Sequence, residues 1–301
     1  MEFRVLGTGS ATPQLNRNPS AFVLSIDNYL ILIDCGEGTQ FQFLKYKVKA
    51  SRIKHILISH LHGDHYFGLI GLICSFNLNK RTEPLIIFGP SGLNDIIVNQ
   101  LKFSNTILHF PLNFIKTNSE HPELLFHNDT FEISTFPLKH RIPCTGFLIK
   151  SFGSKRKIRA ELLPSNFPIP YFKMLKNGED VFDELTGITF KNQEYTIAGS
   201  ENKYFAYCSD TIYDEGIIQH ITSCDLIYHE ATFSNDNETR AKQTFHSTAS
   251  QAAIIAKKAK AKKLVLGHFS SRYKTIDHFL EEANAIFPST SLAIEGESYI
   301  I

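Results

Sequence analysis

The sequence predicts a layered α/β domain with a long inserted segment. Short runs of β-branched and aromatic residues recur along the 301 residues, and helix-forming stretches lie between them. With 43% hydrophobic and 20% charged residues the chain can bury a large core, and its length suits one α/β domain. Only the stretch from residue 150 to about residue 200 breaks the alternation.

The predicted strands are apolar runs bounded by Gly, Pro, Asn or Asp. In chain order they are Phe3 to Leu6, Ala21 to Ile26, Tyr29 to Ile33, Ile53 to Ser59, Leu85 to Phe88, Phe131 to Phe136, Gly146 to Ile149, Tyr204 to Cys208, Leu226 to Tyr228 and Lys263 to Leu266.

The clearest predicted helix covers Thr248 to Lys260, where strong helix formers end in lysines and Ser247 is a candidate N-cap. The other predicted helices are Thr39 to Lys45, Tyr66 to Cys74, Gly92 to Leu101 and Ile276 to Ala285.

Residues 150–200 are interpreted as an inserted arm because they combine prolines and glycines with a run of basic residues. The alternative is an ordinary solvated loop with a chance charge cluster. The basic residues of this cluster that could contact a polyanion are Lys155, Arg156, Lys157 and Arg159.

The composition excludes a protein that gathers polyanions over its whole surface. Lys and Arg total 31 while Asp and Glu total 30, so any nucleic-acid site must be a local patch. The five cysteines are scattered without a CxxC pair, which indicates neither a disulfide framework nor a thiolate zinc site. No stretch has the length and apolarity of a membrane span or a signal peptide, so we expect a cytoplasmic protein with no membrane partner.

Four potential metal ligands follow the predicted strand that begins at Ile53. His60 and His62 are two residues apart, so in extended backbone their side chains point to the same side and can share one ion. Gly63 permits a sharp turn, after which Asp64 and His65 can address a neighbouring ion. Histidine is the commonest metal ligand, and this spacing at the end of a strand predicts a metal site.

Two sites need more ligands than these four, and three further candidates come directly after apolar runs: His140, Asp210 and His268. One ion would then lie among His60, His62 and His140, and the other among Asp64, His65 and His268. Asp210 has two oxygens and can bridge both ions. We expect two divalent ions, zinc first, with manganese or iron as the other candidates for histidine and carboxylate ligands.

Eight motifs spread through nearly the whole chain complete the pattern: LGTGSATP at 6–13, DCGEGTQFQ at 34–42, SHLHGDHYFGL at 59–69, His140 after PLK, SDT at 209–211, HEAT at 229–232, HST at 246–248 and HFSSRY at 268–273. HxHxDH alone marks the metallo-β-lactamase superfamily. With HEAT, HST and HFSSRY the chain resembles the ribonuclease Z family more narrowly.

The resemblance implies a four-layer αββα sandwich in which residues 150–200 are the family's flexible tRNA-binding arm. It implies a metal-dependent endoribonuclease that cleaves the 3′ trailer from tRNA precursors, and a homodimer. Two cations about 3.5–4 Å apart can activate a bridging water and neutralise a phosphodiester oxygen, so the expected nucleophile is a metal-bridged hydroxide.

The remaining catalytic candidates come from the same motifs. Asp64 can accept a proton from the attacking water, and by the resemblance it is the base. His246 is the candidate general acid because an imidazole titrates near neutral pH, and Glu230 could orient and charge it. The alternative role for His246 is a residue at a helix start that bonds to nearby backbone.

Three further polar residues have candidate supporting roles. Arg272 is a candidate phosphate contact, with a surface salt bridge as the alternative. Arg17 lies in a first loop that matches the family's PxKxRN pattern except at Leu15, which replaces the lysine. Asp34 is expected to fix a ligand imidazole or the turn from Gly36 to Gly38.

Two other functions remain open at this stage. One is a phosphodiesterase of the same superfamily that acts on cyclic nucleotides or other small phosphodiesters. The other is an inactive relative that binds RNA without cleaving it. The basic arm favours tRNA over a small substrate, and the full set of ligands with His246 and Glu230 argues against inactivity.

Overall fold

The computed structural model describes all 301 residues of the chain. Its larger unit, residues 1–150 and 204–301, is built on two seven-stranded sheets that pack face to face. Helices cover the outer face of each sheet, so the predicted α/β class and the four-layer order are confirmed.

The first sheet joins the N-terminal strands to the last strand of the chain. Its strands, from one edge to the other, are β18 (Ser298–Ile300), β1 (Glu2–Gly7), β2 (Ala21–Ile26), β3 (Tyr29–Cys35), β4 (Ile53–Leu57), β5 (Leu85–Gly89) and β6 (Leu112–Lys116). Strands β3 to β6 run parallel, so their carboxyl ends meet at one edge of the sheet.

The second sheet contains, in order, β17 (Thr290–Leu292), β16 (Leu264–Gly267), β15 (Leu226–Glu230), β14 (Lys203–Cys208), β9 (Cys144–Ser151), β8 (Phe131–Leu138) and β7 (Glu123–His127). Strands β14 to β17 are parallel. The central strands of both sheets are buried on two faces, which explains why they appear in the sequence as continuous apolar runs.

Aromatic side chains fill the space between the sheets. The Phe3 ring of the first sheet lies 4.7 Å from that of Phe205 in the second, and Phe22 lies 4.6 Å from Tyr228, measured between ring centroids. All four residues are fully buried, and such pairs add to the free energy gained from burying their area. This core packs the two sheets against each other.

The helices are α1 (Thr39–Lys45), α2 (Gly63–Tyr66), α3 (Leu69–Leu78), α4 (Leu93–Phe103), α5 (Ile169–Asn177), α6 (Asn192–Tyr195), α7 (Glu238–Thr244), α8 (Ala249–Lys258) and α9 (Asp277–Asn284). Helices α1, α3 and α4 pack on the first sheet, and α8 and α9 pack on the second. No helix has the length and apolarity needed to cross a membrane.

The start of α8 differs from the prediction. Thr248 is the N-cap, and it forms a capping box with Gln251. Ser247 is unavailable as a cap because its hydroxyl donates to the carbonyl of Thr211 and its backbone N–H donates to Glu230. The helix therefore begins at Ala249, one residue later than predicted, because Ser247 is bonded to the neighbouring site.

The segment after His62 also differs. The single helix predicted from Tyr66 to Cys74 is wrong: α2 and α3 are two helices that meet near Gly68. Gly63 begins α2 directly after a bend of the chain at His62. A Cβ at Gly63 would lie 2.2 Å from the ring of Phe67, which is 59% exposed, so a larger residue here would displace that ring.

A second compact unit spans residues 151–203. It contains α5, α6 and two small two-stranded sheets, β10 (Lys157–Ile158) with β13 (Thr196–Ile197) and β11 (Val181–Asp183) with β12 (Ile188–Phe190). Its small core is formed by Phe167, Leu175, Val181 and Phe190. Pro168 and Pro170 mark the start of α5, where a missing backbone N–H costs nothing.

Candidate metal centre

The structure brings all seven predicted metal ligands together near the carboxyl ends of the strands, with Asp64 and His65 in α2 and the others in loops. They form two adjoining groups, His60 with His62, His140 and Asp210, and Asp64 with His65 and His268. Within each group the ligand atoms lie within 4.8 Å of one another.

In the first group, Nδ1 of His62 lies 3.1 Å from Nε2 of His60 and 3.1 Å from Nε2 of His140. Oδ2 of Asp210 lies 3.6 Å from Nε2 of His60 and 3.8 Å from Nε2 of His140. For bonds of 2.0–2.2 Å to a tetrahedral ion, the ligand atoms should be about 3.3–3.6 Å apart. The spacing therefore suits one ion at the centre.

The second group has the same dimensions. Nε2 of His65 and Nε2 of His268 are 3.2 Å apart, and Oδ2 of Asp64 lies 3.5 Å and 3.3 Å from them. Oδ1 of Asp210 lies 3.5 Å from the first nitrogen and 3.2 Å from the second. Asp210 thus presents one carboxylate oxygen to each group.

Asp210 also provides the test of whether a cation fits here. The residue is 2% exposed, yet its Oδ1 has no hydrogen-bond partner. A buried carboxylate oxygen without a donor is costly, and one that faces two imidazole nitrogens is a typical metal ligand. The site therefore fits a divalent cation.

Hydrogen bonds on the outer side of each ring fix which nitrogen faces inward. Nδ1 of His140 donates to the carbonyl of Phe245 at 2.9 Å, and Nδ1 of His65 pairs with Oδ2 of Asp34 at 2.8 Å. Nδ1 of His268 lies 2.9 Å from the Thr232 hydroxyl. In these three rings this leaves Nε2 for the centre, an arrangement that orients ligand imidazoles and raises their basicity, whereas His62 presents Nδ1.

Asp34 is the hub of this outer network. It accepts hydrogen bonds from His65, from the Ser59 backbone and hydroxyl, and from the Tyr207 hydroxyl at 2.6 Å. The expectation that Asp34 fixes an imidazole is therefore confirmed. Tyr207 was not anticipated, because a tyrosine within an apolar strand gives no sign in the sequence of where its hydroxyl points.

The charges around the centre favour a cation. Burial acts to lower the pKa of His65, but Asp210, Asp64 and Asp34 outweigh it and raise that pKa to about 10. Burial, with the neighbouring imidazoles, holds the pKa of His60 well below its ordinary value, and the pKa of His140 is also lowered. The imidazoles of the first group are thus neutral, the form that binds metals. The carboxylates beside His65 in the second group stabilise positive charge, so they favour a bound cation.

Glu230 and His246 form a buried pair beside the centre. Glu230 is fully buried, and its Oε1 accepts from Nδ1 of His246 at 2.9 Å and from the backbone of Thr211 and Ser247. Burial acts to raise the pKa of Glu230, but His246 and these donors lower it to about 2. Burial acts to lower the pKa of His246, but Glu230 raises it to about 9, so the imidazole favours its protonated form at neutral pH.

A cleft of about 430 Å³ opens above the centre. Its lining includes four residues of the first loop, four of the candidate ligands and His246: Ser10, Ala11, Pro13, Pro19, His62, Asp64, Asp210, His268 and His246. The loop reaches the centre directly, because the backbone N–H of Ala11 donates to Oδ2 of Asp64 at 2.7 Å. Burial acts to raise the pKa of Asp64, but His65, His268 and this bond hold it well below its ordinary value.

The predicted substrate contacts lie in different environments. The Arg17 guanidinium donates to the carbonyl of Tyr273, and its NH1 is buried. Arg272 is exposed, with its guanidinium 5.2 Å from the Phe233 ring centroid and NH1 3.5 Å from Asn237. Arg272 is therefore exposed and Arg17 is bonded within the protein, and neither lines the cleft.

The basic residues of the inserted unit line a concavity of about 500 Å³. Lys155, Arg156 and Lys157 contribute to it, while Arg159 does not line it. Lys176 of α5 joins them. Sequence reasoning missed Lys176 because it lies some twenty residues beyond the charge cluster and only the fold brings the two together.

Comparison with known proteins agrees with this geometry. A ribonuclease Z from Cytophaga hutchinsonii is 43% identical to the chain over 300 residues, covering 100% of this chain and 96% of the relative. One from Bacteroides thetaiotaomicron is 41% identical over 297 residues, covering 98% and 93%. Residues 1–152 match the family model described as Anti-Pycsar protein Apyc1.

Solved structures give the same result for the fold. The crystal structure of the short form of human tRNase Z matches with a TM-score of 0.73 and 30% identity, covering 100% of this chain and 99% of that one. The metallo-β-lactamase fold protein YhfI from Bacillus subtilis matches with a TM-score of 0.69 at 19% identity, covering 99% and 98%, and shows the fold alone.

Proposed function

The chain belongs to the ribonuclease Z family, and we propose that it removes 3′ trailers from tRNA precursors with two divalent ions. Its first 152 residues also belong to the family described as Anti-Pycsar protein Apyc1. It is a metal-dependent hydrolytic endoribonuclease. The observation that carries the two-ion proposal is Asp210, whose two carboxylate oxygens each face one group of imidazoles.

In this proposal the first ion lies among His60, His62, His140 and Asp210, and the second among Asp64, His65, His268 and Asp210. Zinc is the first candidate because tetrahedral nitrogen and oxygen sets suit it, with manganese or iron as alternatives. When bound, such a pair supplies an activated water and neutralises charge on the phosphate.

His246 is proposed as the general acid. Its Nδ1 is bonded to Glu230, so Nε2 is the nitrogen left to give a proton to the leaving oxygen. Glu230 holds the ring in place and keeps it charged. Four other donors fix the carboxylate: the backbone N–H groups of Thr211, Thr232 and Ser247 and the hydroxyl of Thr232.

Asp64 is proposed as a ligand and, from the family, as the acceptor for the proton of the attacking water. Burial acts to raise its pKa, but His65 and His268 hold that pKa below its ordinary value, so the carboxylate is ionised, which suits metal binding.

The function test compares three substrates. A tRNA precursor with a 3′ trailer should be cut at one site with a kcat/KM far above that for cyclic AMP or bis(p-nitrophenyl) phosphate, because only the tRNA can use the inserted unit. Denaturing electrophoresis of the products checks this. Turnover of cyclic AMP in preference to the precursor would establish the small-phosphodiester alternative, and turnover of none of the three would establish the inactive one.

The inserted unit is proposed to bind tRNA phosphates through Lys155, Arg156, Lys157 and Lys176, with Arg159 nearby in sequence. Their positive groups around one concavity support this role. Lysine and arginine contacts to phosphates release counterions, which makes binding depend on salt.

Replacing Lys155, Arg156, Lys157 and Arg159 with alanine should therefore raise KM for a precursor tRNA and flatten its dependence on salt. Steady-state kinetics over a salt series measure both. Hydrolysis of bis(p-nitrophenyl) phosphate is the control and should keep the parental rate. If precursor tRNA is processed equally well by both proteins at every salt concentration, this cluster is an ordinary solvated surface.

A homodimer that acts in the cytoplasm is proposed from the family. Helices α1 and α3 lie side by side, since Ser75 donates to Gln40. They expose large apolar side chains, Phe41 at 76%, Leu44 at 77% and Leu78 at 81%. A second copy of the chain could cover such a surface.

A further inference from the structure

A second cavity of about 860 Å³ adjoins the metal centre. It is walled by the ends of β4 and β5, the β6–β7 loop and the segment before β9, and its lining residues include Leu61, Pro90, Ser91, Lys116, Ser119 and Ile142. His62 lines both this cavity and the catalytic cleft, so the two spaces meet at a proposed ligand. We call the second space the lateral cavity.

Of the candidate ligands and catalytic groups, the two spaces share His62, while Asp64, Asp210, His246 and His268 line the cleft alone. In hydrolysis of a phosphodiester, a water gives one proton to a base, here Asp64 by the resemblance, and its oxygen bonds to phosphorus. The bond to the leaving oxygen breaks, and that oxygen takes the proton of the acid His246. The nucleotide that bears the leaving oxygen must therefore lie in the cleft beside His246. The other nucleotide keeps the phosphate and has to leave the centre in another direction.

The lateral cavity suits a nucleoside in chemistry and in size. Apolar walls from Leu61, Pro90 and Ile142 offer surfaces for a base, while hydroxyl groups of Ser91 and Ser119 offer hydrogen bonds to its edge. The volume is about twice that of the cleft.

The floor of the cavity carries an unsatisfied polar group. Thr117 is 4% exposed, and its hydroxyl has no hydrogen-bond partner in the protein. Buried hydroxyls are usually paired, so this one marks a place where a ligand or water is expected.

The wall formed by the β6–β7 loop is preorganised. The Asn118 side chain accepts from the backbone of Glu120 and His121, and Glu123 accepts from the backbone of Asn118 at 2.6 Å. A wall that is already ordered costs little entropy on binding.

The charge of the cavity limits what can enter. Lys116 is opposed by Glu120 and Glu123, so the lining has an excess of negative charge. A run of phosphates would be repelled, whereas one neutral nucleoside joined to the scissile phosphate would not.

We infer that the lateral cavity binds the nucleoside that retains the scissile phosphate after cleavage, a placement that rests on the proposed function. The phosphate lies at the centre beside His62, the leaving nucleotide lies in the cleft with His246, and the base of the phosphate-retaining nucleotide packs in the lateral cavity.

The test uses three precursor tRNAs: one intact, one abasic just 5′ of the scissile bond and one abasic just 3′ of it. The end groups of the products show which nucleotide keeps the phosphate. For the wild type, loss of that base should lower kcat/KM by about tenfold, since stacking of one base is typically of that size.

Ser91→Trp and Ser119→Trp fill the cavity from two different loops. Each variant should lower kcat/KM for the intact precursor by about tenfold. Removing the base of the phosphate-retaining nucleotide should then cause no further loss of kcat/KM, whereas removing the base of the leaving nucleotide should have the same effect as in the wild type. Asn99→Trp, on the exposed face of α4, is the control and should match the wild type. Hydrolysis of bis(p-nitrophenyl) phosphate, which has no base, should be unchanged in the Asn99→Trp control.

The outcomes separate the inference from the proposed function. If both filling variants cut all three precursors as the wild type does, or lose their response to the leaving nucleotide instead, the lateral cavity does not bind the phosphate-retaining base. If the wild type cuts no precursor, the proposed function fails and this inference falls with it.

Discussion

Replacing Asp210 with alanine is expected to remove both ions together and, with them, turnover of every phosphodiester. Asp210 is the one carboxylate that faces both groups of imidazoles, with Oδ2 3.6 Å from His60 and Oδ1 3.2 Å from His268. Loss of a ligand from one group alone leaves the other group complete. Metal analysis after gel filtration should give two ions per chain for the wild type and fewer than one for the variant.

Thermal unfolding gives a second measurement that does not depend on activity. A ligand that binds only the folded state stabilises it, so EDTA should lower the Tm of the wild type and leave that of Asp210→Ala nearly unchanged. Asp236→Ala, at an exposed aspartate, is the matched control and should behave as the wild type. A full complement of two ions in Asp210→Ala would contradict the bridging role.

The position of the centre could be predicted because its ligands follow apolar runs. The central strands are buried on both faces and stand out in the sequence, so His60, Asp210 and His268 could be placed at one edge without knowledge of the sheet order. Parallel neighbours then bring those edges together. Each of these ligands lies close to its strand: His268 follows β16 directly, one residue separates His140 and Asp210 from β8 and β14, and two residues separate His60 from β4.

The edge strands could not be predicted in the same way. Strands β6, β7, β17 and β18 carry mostly half-buried or exposed side chains, so no apolar run marks them. This omission matters, because the β6–β7 loop forms a wall of the lateral cavity. The ligand motifs and apolar runs of the sequence do not indicate the lateral cavity, because loops form its walls.

Contacts between distant parts of the chain were also beyond prediction. Arg17 matches a motif that implies a contact with tRNA, yet its guanidinium is bonded to Tyr273, 256 residues away. Thr232 was seen only as part of HEAT, yet its hydroxyl joins Glu230 and His268. The direction of a side chain is set by packing, which sequence spacing does not report.

Replacing His246 with alanine is expected to lower kcat on precursor tRNA by about 10²–10⁴-fold, the usual range for a general acid, with little change in KM. The nucleoside leaving group is an alkoxide and needs a proton. p-Nitrophenolate leaves without one, so bis(p-nitrophenyl) phosphate should suffer a much smaller loss. Steady-state kinetics on both substrates measure the difference.

Two further variants separate the acid role from a structural one. Glu230→Gln keeps the shape of the buried carboxylate but removes the charge that raises the pKa of His246, so kcat should fall and the alkaline limit of the rate profile should move to lower pH. His109→Ala, at an exposed histidine, should leave both substrates unaffected. Equal losses on the two substrates in His246→Ala would show that the imidazole supports the loop between α7 and α8 and does not protonate the leaving group, because a structural defect cannot distinguish one leaving oxygen from another.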